Sequence, residues 1–155
     1  MTSDTELQAQ TIKTLIETIL DKMGILASVR FLENSNGLQF HIKTEDGGIL
    51  IGENGQNLIA LNHIVKRLIE KNYKEDKPLQ FSLDINNYQA KKAEELRSLA
   101  RMSAQRARFF KKEIAMQPMT SYERRIIHTA LAEYPDITTE STGEVPYRRV
   151  VIKPL

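Results

Sequence analysis

The chain has 155 residues, 41% of them hydrophobic and 27% charged, which is the composition of a folded protein rather than a disordered one. It contains no cysteine, so disulfides and thiolate metal sites are excluded. The N-terminal residues are acidic rather than basic and apolar, which argues against a secretion signal. We therefore expect a cytoplasmic protein that does not insert into membranes and has one domain or two small ones.

The charge is divided unevenly along the chain, although the net charge is only +2. Residues 1–86 carry nine Lys and Arg against twelve Asp and Glu, whereas residues 87–155 carry thirteen against eight. This division predicts two units, 1–86 and 87–155, of which the second is better suited to meet a polyanion.

The first half alternates helical and extended patterns. Apolar residues at helical spacing and alternating apolar residues predict, in order, a helix over 5–23, strands over 25–33 and 38–44, a helix over 56–72, and a strand over 79–85. The polar residues 73–78 are interpreted as a connection.

The second half predicts a different order, α-β-α-β-β. Its patterns and helix breakers indicate a long helix to about residue 112, a short strand over 113–116, a helix ending near residue 133, and a hairpin of strands over 136–142 and 147–154. Asn86 or Asn87 can cap the first helix, and Thr120 or Ser121 can cap the second. The predicted fold class is α+β.

A glycine-rich loop, GENG at 52–55, lies directly before a predicted helix. Glycines let another backbone approach closely, and the start of a helix offers unpaired N–H groups to phosphate. A G-x-x-G pattern alone is equally compatible with a simple turn. The chain has neither the G-x-x-x-x-G-K-[ST] pattern nor G-x-G-x-x-G after a strand, which argues against an ATP or dinucleotide site.

The order of elements around this loop resembles the type II KH domain, α-β-β-α-α-β, over about residues 5–86. The resemblance implies that ILI at 49–51 is a short helix rather than a strand. It also implies that Gly52, Glu53, Asn54 and Gly55 clamp the backbone of a single-stranded nucleic acid. KH loops usually carry a Lys or Arg between the glycines, whereas this loop carries Glu53 and Asn54. A carboxylate near a phosphate is unfavourable by about 1 kcal/mol.

The long helix of the second half carries a stripe of cations. At 100° per residue, one side holds Arg97, Arg101, Arg108, Lys111 and Lys112. Acids that could pair with them at i,i+4 stop at residue 95, so the C-terminal half of the helix is predicted to be unpaired. Arg101 and Arg108 are therefore predicted nucleic-acid contacts, with a solvated charged face as the alternative.

Two further expectations concern the other sides of this helix. Leu96, Leu99, Ala107 and Phe110 fall on a second, apolar side, and Arg106 points towards it as a structural pairing residue. Aromatic residues make up only 6% of the chain, so affinity for nucleic acid is expected to depend on phosphate contacts more than on base stacking.

Arg124 and His128 in SYERRIIHTAL are four residues apart, so both lie on one helix face, with Arg125 rotated by about 100°. Arginine offers a rigid fork to phosphate, and an imidazole can donate a hydrogen bond or stack on a base. The alternative is that His128 packs beneath the hairpin and bonds to backbone.

The run from PMTSYERRIIHTAL to the end of the hairpin resembles the R-three-H domain, a single-stranded nucleic-acid-binding module named for its Arg-x-x-x-His motif. The resemblance covers about residues 90–154 and includes Ser141, Gly143 and the basic pair at the start of the last strand. It implies that Arg124, His128 and Arg148 are the leading contacts, followed by Arg125 and Arg149.

A KH unit followed by an R-three-H unit resembles the Jag/KhpB family of bacterial RNA-binding proteins. The resemblance implies a cytoplasmic post-transcriptional regulator or RNA chaperone that prefers single-stranded RNA and is linked to cell envelope growth and division. Self-association or a small stand-alone KH protein is an implied partner. The N-terminal Jag domain of many members is expected to be missing from this chain.

Two alternative functions remain open. The acidic first half and Glu53 fit a protein-interaction scaffold that dimerises through the KH unit and has little RNA affinity. A nuclease that uses His128 with Glu123 or Glu140 is disfavoured, since no metal cluster or nucleophile motif accompanies them. We therefore expect no catalytic residue, metal ligand or cofactor.

Overall fold

The computed structural model describes residues 3–73 and 79–155. It divides into two compact units, Met1–Tyr88 and Gln89–Leu155, each with its own hydrophobic core. Both units combine helices with a small sheet, which confirms the predicted α+β class. The connection predicted over 73–78 lies, from residue 74 onward, outside the described residues.

The first unit has the element order α-β-β-α-α-β. Its elements are α1 (Ser3–Lys22), β1 (Ala27–Asn34), β2 (Gly37–Thr44), α2 (Gly47–Ile51), a short 3-10 turn (Glu53–Gly55), α3 (Gln56–Asn72) and β3 (Phe81–Ile85). The sheet order is β1-β2-β3, with β1 antiparallel and β3 parallel to the central strand. The ILI run is thus helical, as the KH resemblance implied.

The periodicity of the sequence explains the core of the first unit. On α1 the buried residues are three or four positions apart, which places Ala9, Ile12, Ile16 and Leu20 on one helix face. On β2 every second residue is buried, namely Leu38, Phe40 and Ile42. These two faces pack into a single cluster with residues of α2, α3 and β3.

Asn86 extends the sheet of the first unit and does not cap the following helix. Its side-chain oxygen accepts from the Thr44 backbone N–H at 3.1 Å, and its amide donates to the Thr44 carbonyl at 2.9 Å. Asn86 is therefore not the cap of the long helix, because its side chain is bound to the end of β2, and Asn87, the other predicted cap, is the residue directly before α4.

The second unit has the predicted order α-β-α-β-β. Its elements are α4 (Tyr88–Phe110), β4 (Ile114–Ala115), α5 (Ser121–Leu131), β5 (Ile137–Thr142) and β6 (Arg149–Pro154). The strands form an antiparallel sheet in the order β4-β6-β5. The capping box between Thr120 and Glu123 begins α5, which confirms Thr120 as the cap.

The buried face of α4 differs from the predicted one. It consists mainly of small residues, which allow close packing: Ala93, Leu96, Ala100, Ser103, Ala104 and Ala107. Leu99 and Phe110, expected on the apolar side, are 44% and 56% exposed. Arg106 is exposed and forms no ion pair within the described residues, so its predicted pairing role is also wrong.

Among the residues described, no helix is both long and apolar enough to cross a membrane.

Candidate nucleic-acid interface

Arg124 is held against the start of its own helix. One guanidinium nitrogen, Nη1, donates to the Met119 carbonyl at 3.1 Å, and Nη2 approaches the Ser121 hydroxyl at 3.4 Å. The residue is half-buried beside the buried Ile127. These contacts fix the guanidinium in position and leave its other N–H groups able to bind an anion.

Met119 connects Arg124 to the last strand. Its carbonyl accepts from Arg124, while its backbone N–H donates to the Arg148 carbonyl at 3.1 Å. The two predicted contacts, Arg124 and Arg148, therefore lie on either side of a single residue, although 24 positions separate them in the sequence.

Arg148 and Arg149 both bind the turn between β5 and β6. Nη1 of Arg148 donates to the Gly143 carbonyl at 2.8 Å, and Nε of Arg149 approaches the Tyr147 carbonyl at 3.4 Å. Gly143 has a φ of +85°, a conformation that side chains rarely adopt. The turn is thus held by two half-buried arginines that keep further N–H groups unused by these bonds.

His128 binds two hydroxyl groups of β5. Its Nδ1 lies 2.7 Å from Thr139 Oγ1, and its Nε2 lies 2.8 Å from Ser141 Oγ. Alternate residues of a strand share a face, so both hydroxyls point towards α5. The imidazole therefore links the helix to the strand. It packs against the hairpin, but it bonds to side-chain hydroxyls and not to the backbone that the alternative interpretation named.

The environment of His128 favours its neutral form. Burial lowers the pKa of its imidazole below the ordinary value, and the positive charge of Arg124 lowers it further. A neutral ring has one donor and one acceptor nitrogen, so one hydroxyl accepts from the ring and the other donates to it. The hydroxyl that accepts retains its own proton, which it can donate to a ligand.

Arg125 occupies the exposed side of α5. Its side chain makes no hydrogen bond or ion pair to any residue that the structure describes. Its charge is therefore available to solvent or to an anion, next to the half-buried Arg124.

The two carboxylates of the nuclease alternative have other partners. Glu123 accepts from the Thr120 backbone N–H at 2.8 Å in the capping box. Glu140 pairs with Lys153 at 2.6 Å, and the hydrogen bond from that lysine lowers its pKa. Strand alternation also places Glu140 on the opposite sheet face from Ser141. In the described ranges, no group of three or more His, Asp or Glu could hold a metal ion.

The cations of α4 are paired more than the sequence predicted. Arg108 forms a two-pronged contact with Asp136, at 2.5 and 2.8 Å, and its guanidinium lies 4.8 Å from the Tyr134 ring centroid. The prediction of an unpaired C-terminal half is wrong for Arg108, because its partner lies 28 positions away in the sequence.

Glu94 pairs with the other two arginines of this stripe. Its oxygens lie 2.9 Å from Arg101 and 3.3 Å from Arg97. Hydrogen bonds from Arg101 and then Arg97 lower the pKa of the Glu94 carboxyl. Contact of Arg101 and Arg108 with nucleic acid stays a prediction, and it would require a phosphate to compete with a carboxylate.

The glycine loop of the first unit needs its glycines for backbone reasons alone. Gly52 and Gly55 have φ values of +71° and +78°. A Cβ on Gly52 would lie 2.6 Å from Cγ of Asn57, whose amide donates to the Ile49 carbonyl at 2.8 Å. Glu53 and Asn54 are exposed at the tip of the loop. The glycine pattern is therefore explained without a ligand, and the clamp stays a prediction.

The second unit matches a known family model. The model of the R-three-H domain covers residues 94–154, nearly the range that the motif resemblance gave. Arg124, His128, Arg148 and Arg149 all lie within the matched range. Thr139, which the sequence reasoning did not single out, lies there too. Alternate residues of ITTEST share one face of the strand, so Thr139 lies on the same face as Ser141, and this spacing could have identified it.

Several curated proteins are similar to most of the chain. The RNA-binding protein KhpB of Clostridium symbiosum is 35% identical over 139 residues, which cover 88% of this chain and 62% of that protein. The protein of the same name from Bacillus subtilis is 33% identical over 145 residues, covering 92% and 69%. That of Streptococcus pneumoniae is 28% identical over 149 residues, covering 96% and 45%. The chain thus spans about half to two thirds of the length of these relatives.

Proposed function

The chain belongs to the KhpB family of RNA-binding proteins, and from this premise we propose that it binds single-stranded RNA without catalysing a reaction, mainly through its second unit. The observation that supports this most directly is the joining of Arg124 and Arg148 through Met119. Because the Arg124 guanidinium and the Arg148 backbone bind the same residue, two basic side chains start from one part of the unit, which suits the phosphates of neighbouring nucleotides.

Each arginine has a distinct part in the proposed site. Arg124 and Arg148 are anchored by their own hydrogen bonds, so little side-chain freedom is lost when a phosphate binds. Arg125 and Arg149 add positive charge on either side. His128 supports the site by holding Ser141 and Thr139, one of whose hydroxyl protons can be donated to the RNA.

The remaining predicted contacts have a smaller part in the proposal. Arg101 and Arg108 attract RNA at longer range, since their carboxylate partners offset much of their charge. The loop from Gly52 to Gly55 contributes a weak second contact, because the exposed Glu53 repels phosphate.

The cellular part of the proposal follows the family. We propose a cytoplasmic role in post-transcriptional control or RNA chaperoning that is linked to cell envelope growth and division. A small stand-alone KH protein or a second copy of the chain is the proposed partner. The names of the relatives support RNA binding in general terms.

Binding of a labelled single-stranded RNA to single alanine variants tests the site. We expect Arg124→Ala and Arg148→Ala each to weaken binding by about tenfold, because a hydrogen bond to a charged group contributes about 1.5–3 kcal/mol. Arg106→Ala is the matched control, since it removes the same charge from an exposed position of the same unit. Equal losses in all three variants would show that only overall charge matters.

A protein-interaction scaffold is the second candidate function. The first unit exposes several large apolar residues, among them Leu26 at 89% and Ile59 at 68%. Such exposure favours contact with another protein. Light scattering after size-exclusion chromatography tests this: a dimer that Ile59→Glu dissociates, together with no RNA binding at low salt, would favour the scaffold.

A further inference from the structure

An exposed tyrosine lies beside the proposed phosphate site. Tyr147 is 70% exposed and directly precedes Arg148 in the turn between β5 and β6. A large aromatic ring in solvent gains nothing from packing within the fold. The small number of aromatics in the sequence suggested that phosphate contacts dominate, but the position of this ring matters more than the number of rings.

The backbone that carries the ring is fixed from several sides. The N–H of Tyr147 donates to the Glu144 carbonyl at 2.7 Å, and its carbonyl faces Nε of Arg149 at 3.4 Å. The next residue, Arg148, accepts from Met119, which in turn binds Arg124. The peptide bond thus joins the tyrosine to Arg148, and hydrogen bonds through Met119 join Arg148 to Arg124.

We propose that Tyr147 stacks on an unpaired nucleobase while Arg124 and Arg148 hold the adjacent phosphates. This inference rests on the proposed function and specifies how single strands are chosen. A base within a duplex is already stacked on both sides, whereas an unpaired base can be turned out onto an aromatic ring. An exposed ring on a hydrogen-bonded backbone, next in sequence to Arg148, therefore favours single strands of any sequence.

Phe109 is the matched comparison within the same unit. It is 81% exposed, but its ring contacts Phe110, with centroids 5.0 Å apart, and no described hydrogen bond joins it to Arg124 or Arg148. Exposure alone therefore does not distinguish the two residues, and their placement relative to the arginines does.

Binding of RNA and of inorganic polyphosphate separates stacking from charge, because polyphosphate has no bases. We expect Tyr147→Ala to weaken single-stranded RNA binding about tenfold, the loss typical of one stacked base. Tyr147→Phe and Phe109→Ala should stay within about twofold of the parent, as should polyphosphate binding by every variant. Tyr147→Ala with parental RNA affinity, or with equal loss of RNA and polyphosphate, overturns the stacking proposal.

Fluorescence gives a second test, because the chain contains no tryptophan. Tyr147→Trp should be quenched by single-stranded RNA and not by polyphosphate, while Phe109→Trp should respond to neither. Bound RNA without quenching of Tyr147→Trp overturns the stacking but not the phosphate site. If the parent binds neither RNA nor polyphosphate, the proposed function fails as well.

Discussion

At the scale of single residues, His128 is a link between two elements before it is a ligand for anything else. Both of its ring nitrogens are bound to hydroxyls of β5, at 2.7 and 2.8 Å. The imidazole holds α5 to β5, the strand that leads into the turn with Arg148, whether or not RNA contacts the ring. Loss of RNA binding in a His128 variant would therefore not by itself identify a direct contact.

We expect His128→Ala to lower the free energy of unfolding of the second unit by about 1–3 kcal/mol, because it leaves two partly buried hydroxyls without their partner. Urea unfolding measures the change. Ser141→Ala should lower the free energy of unfolding less in the His128→Ala variant than in the parent, since His128 and Ser141 share a contact. Arg125→Ala, exposed on the same helix, should change stability by less than about 0.5 kcal/mol. Fully additive losses for His128 and Ser141 would contradict the link.

The lowered pKa of His128 predicts a pH dependence. As the pH falls, the unfolded chain, with a histidine pKa of about 6.5, takes up the proton before the folded chain does. The stability that neutral His128 contributes is therefore complete above about pH 6.5 and declines as the pH falls through the folded-state pKa. We expect the melting temperature to drop more steeply between about pH 7.5 and 5 in the parent than in His128→Gln. Parallel curves of melting temperature against pH for the two proteins would argue against a contribution of neutral His128 to stability.

The sequence predicted the helix face of the candidate residues but not their hydrogen-bond partners. Spacing by four was enough to place Arg124 and His128 on one helix face. It could not place Met119 between two arginines, nor Thr139 and Ser141 against the imidazole, because those contacts depend on how α5 packs on the sheet.

At the scale of elements, the glycine loop illustrates how a binding motif can also be a folding requirement. Gly52 combines a φ of +71° with a ψ of −179°, a region almost restricted to glycine. Gly48, in the neighbouring helix, has open space where a Cβ would be added. The two glycines are four residues apart, about one helical turn, yet only Gly52 is required by the backbone.

We expect Gly52→Ala to destabilise the first unit by about 1–3 kcal/mol, through backbone strain and the clash with Asn57. Gly48→Ala should be neutral or stabilising by up to about 1 kcal/mol, because alanine favours a helix. Thermal unfolding followed by circular dichroism compares them. Equal stability of the two variants would contradict the inference that a side chain at position 52 strains the backbone. Substitutions of the glycines are for the same reason poor tests of RNA binding.

Glu53 offers a better test of the loop, since its side chain is exposed. If RNA passes over this loop, Glu53→Lys should strengthen binding by roughly 30-fold, because it replaces a repulsion of about 1 kcal/mol by an attraction of similar size. Glu33→Lys, an exposed change of the same charge on β1, controls for net charge. The same gain in both variants would mean that the loop does not contact RNA.

Element order was predictable from periodicity, whereas the faces of α4 were not. Leu99 and Phe110 matched an apolar stripe, but the helix packs through alanines, which carry little signal in a hydrophobic pattern. Asp136, likewise, lies in a loop whose position relative to Arg108 depends on the tertiary fold. Long-range pairing of this kind is invisible to i,i+4 reasoning.

At the scale of the whole molecule, the two units differ in charge. The first half is acidic and the second is basic, while both expose large apolar side chains. In the second unit Arg148 and Arg149 bind the turn between β5 and β6, and Arg124 binds Met119. The charge count predicts that the second unit is the better suited to meet a polyanion.

The dependence of RNA affinity on salt tests the central claim that Arg124 and Arg148 bind phosphates. For about four phosphates neutralised on a single strand, the slope of log K against log salt should be near −2.8 in the parent. The Arg124→Ala/Arg148→Ala variant should have a slope shallower by about 1.4, two phosphates fewer. A parental slope near zero, or an unchanged slope in the double variant, would contradict the account.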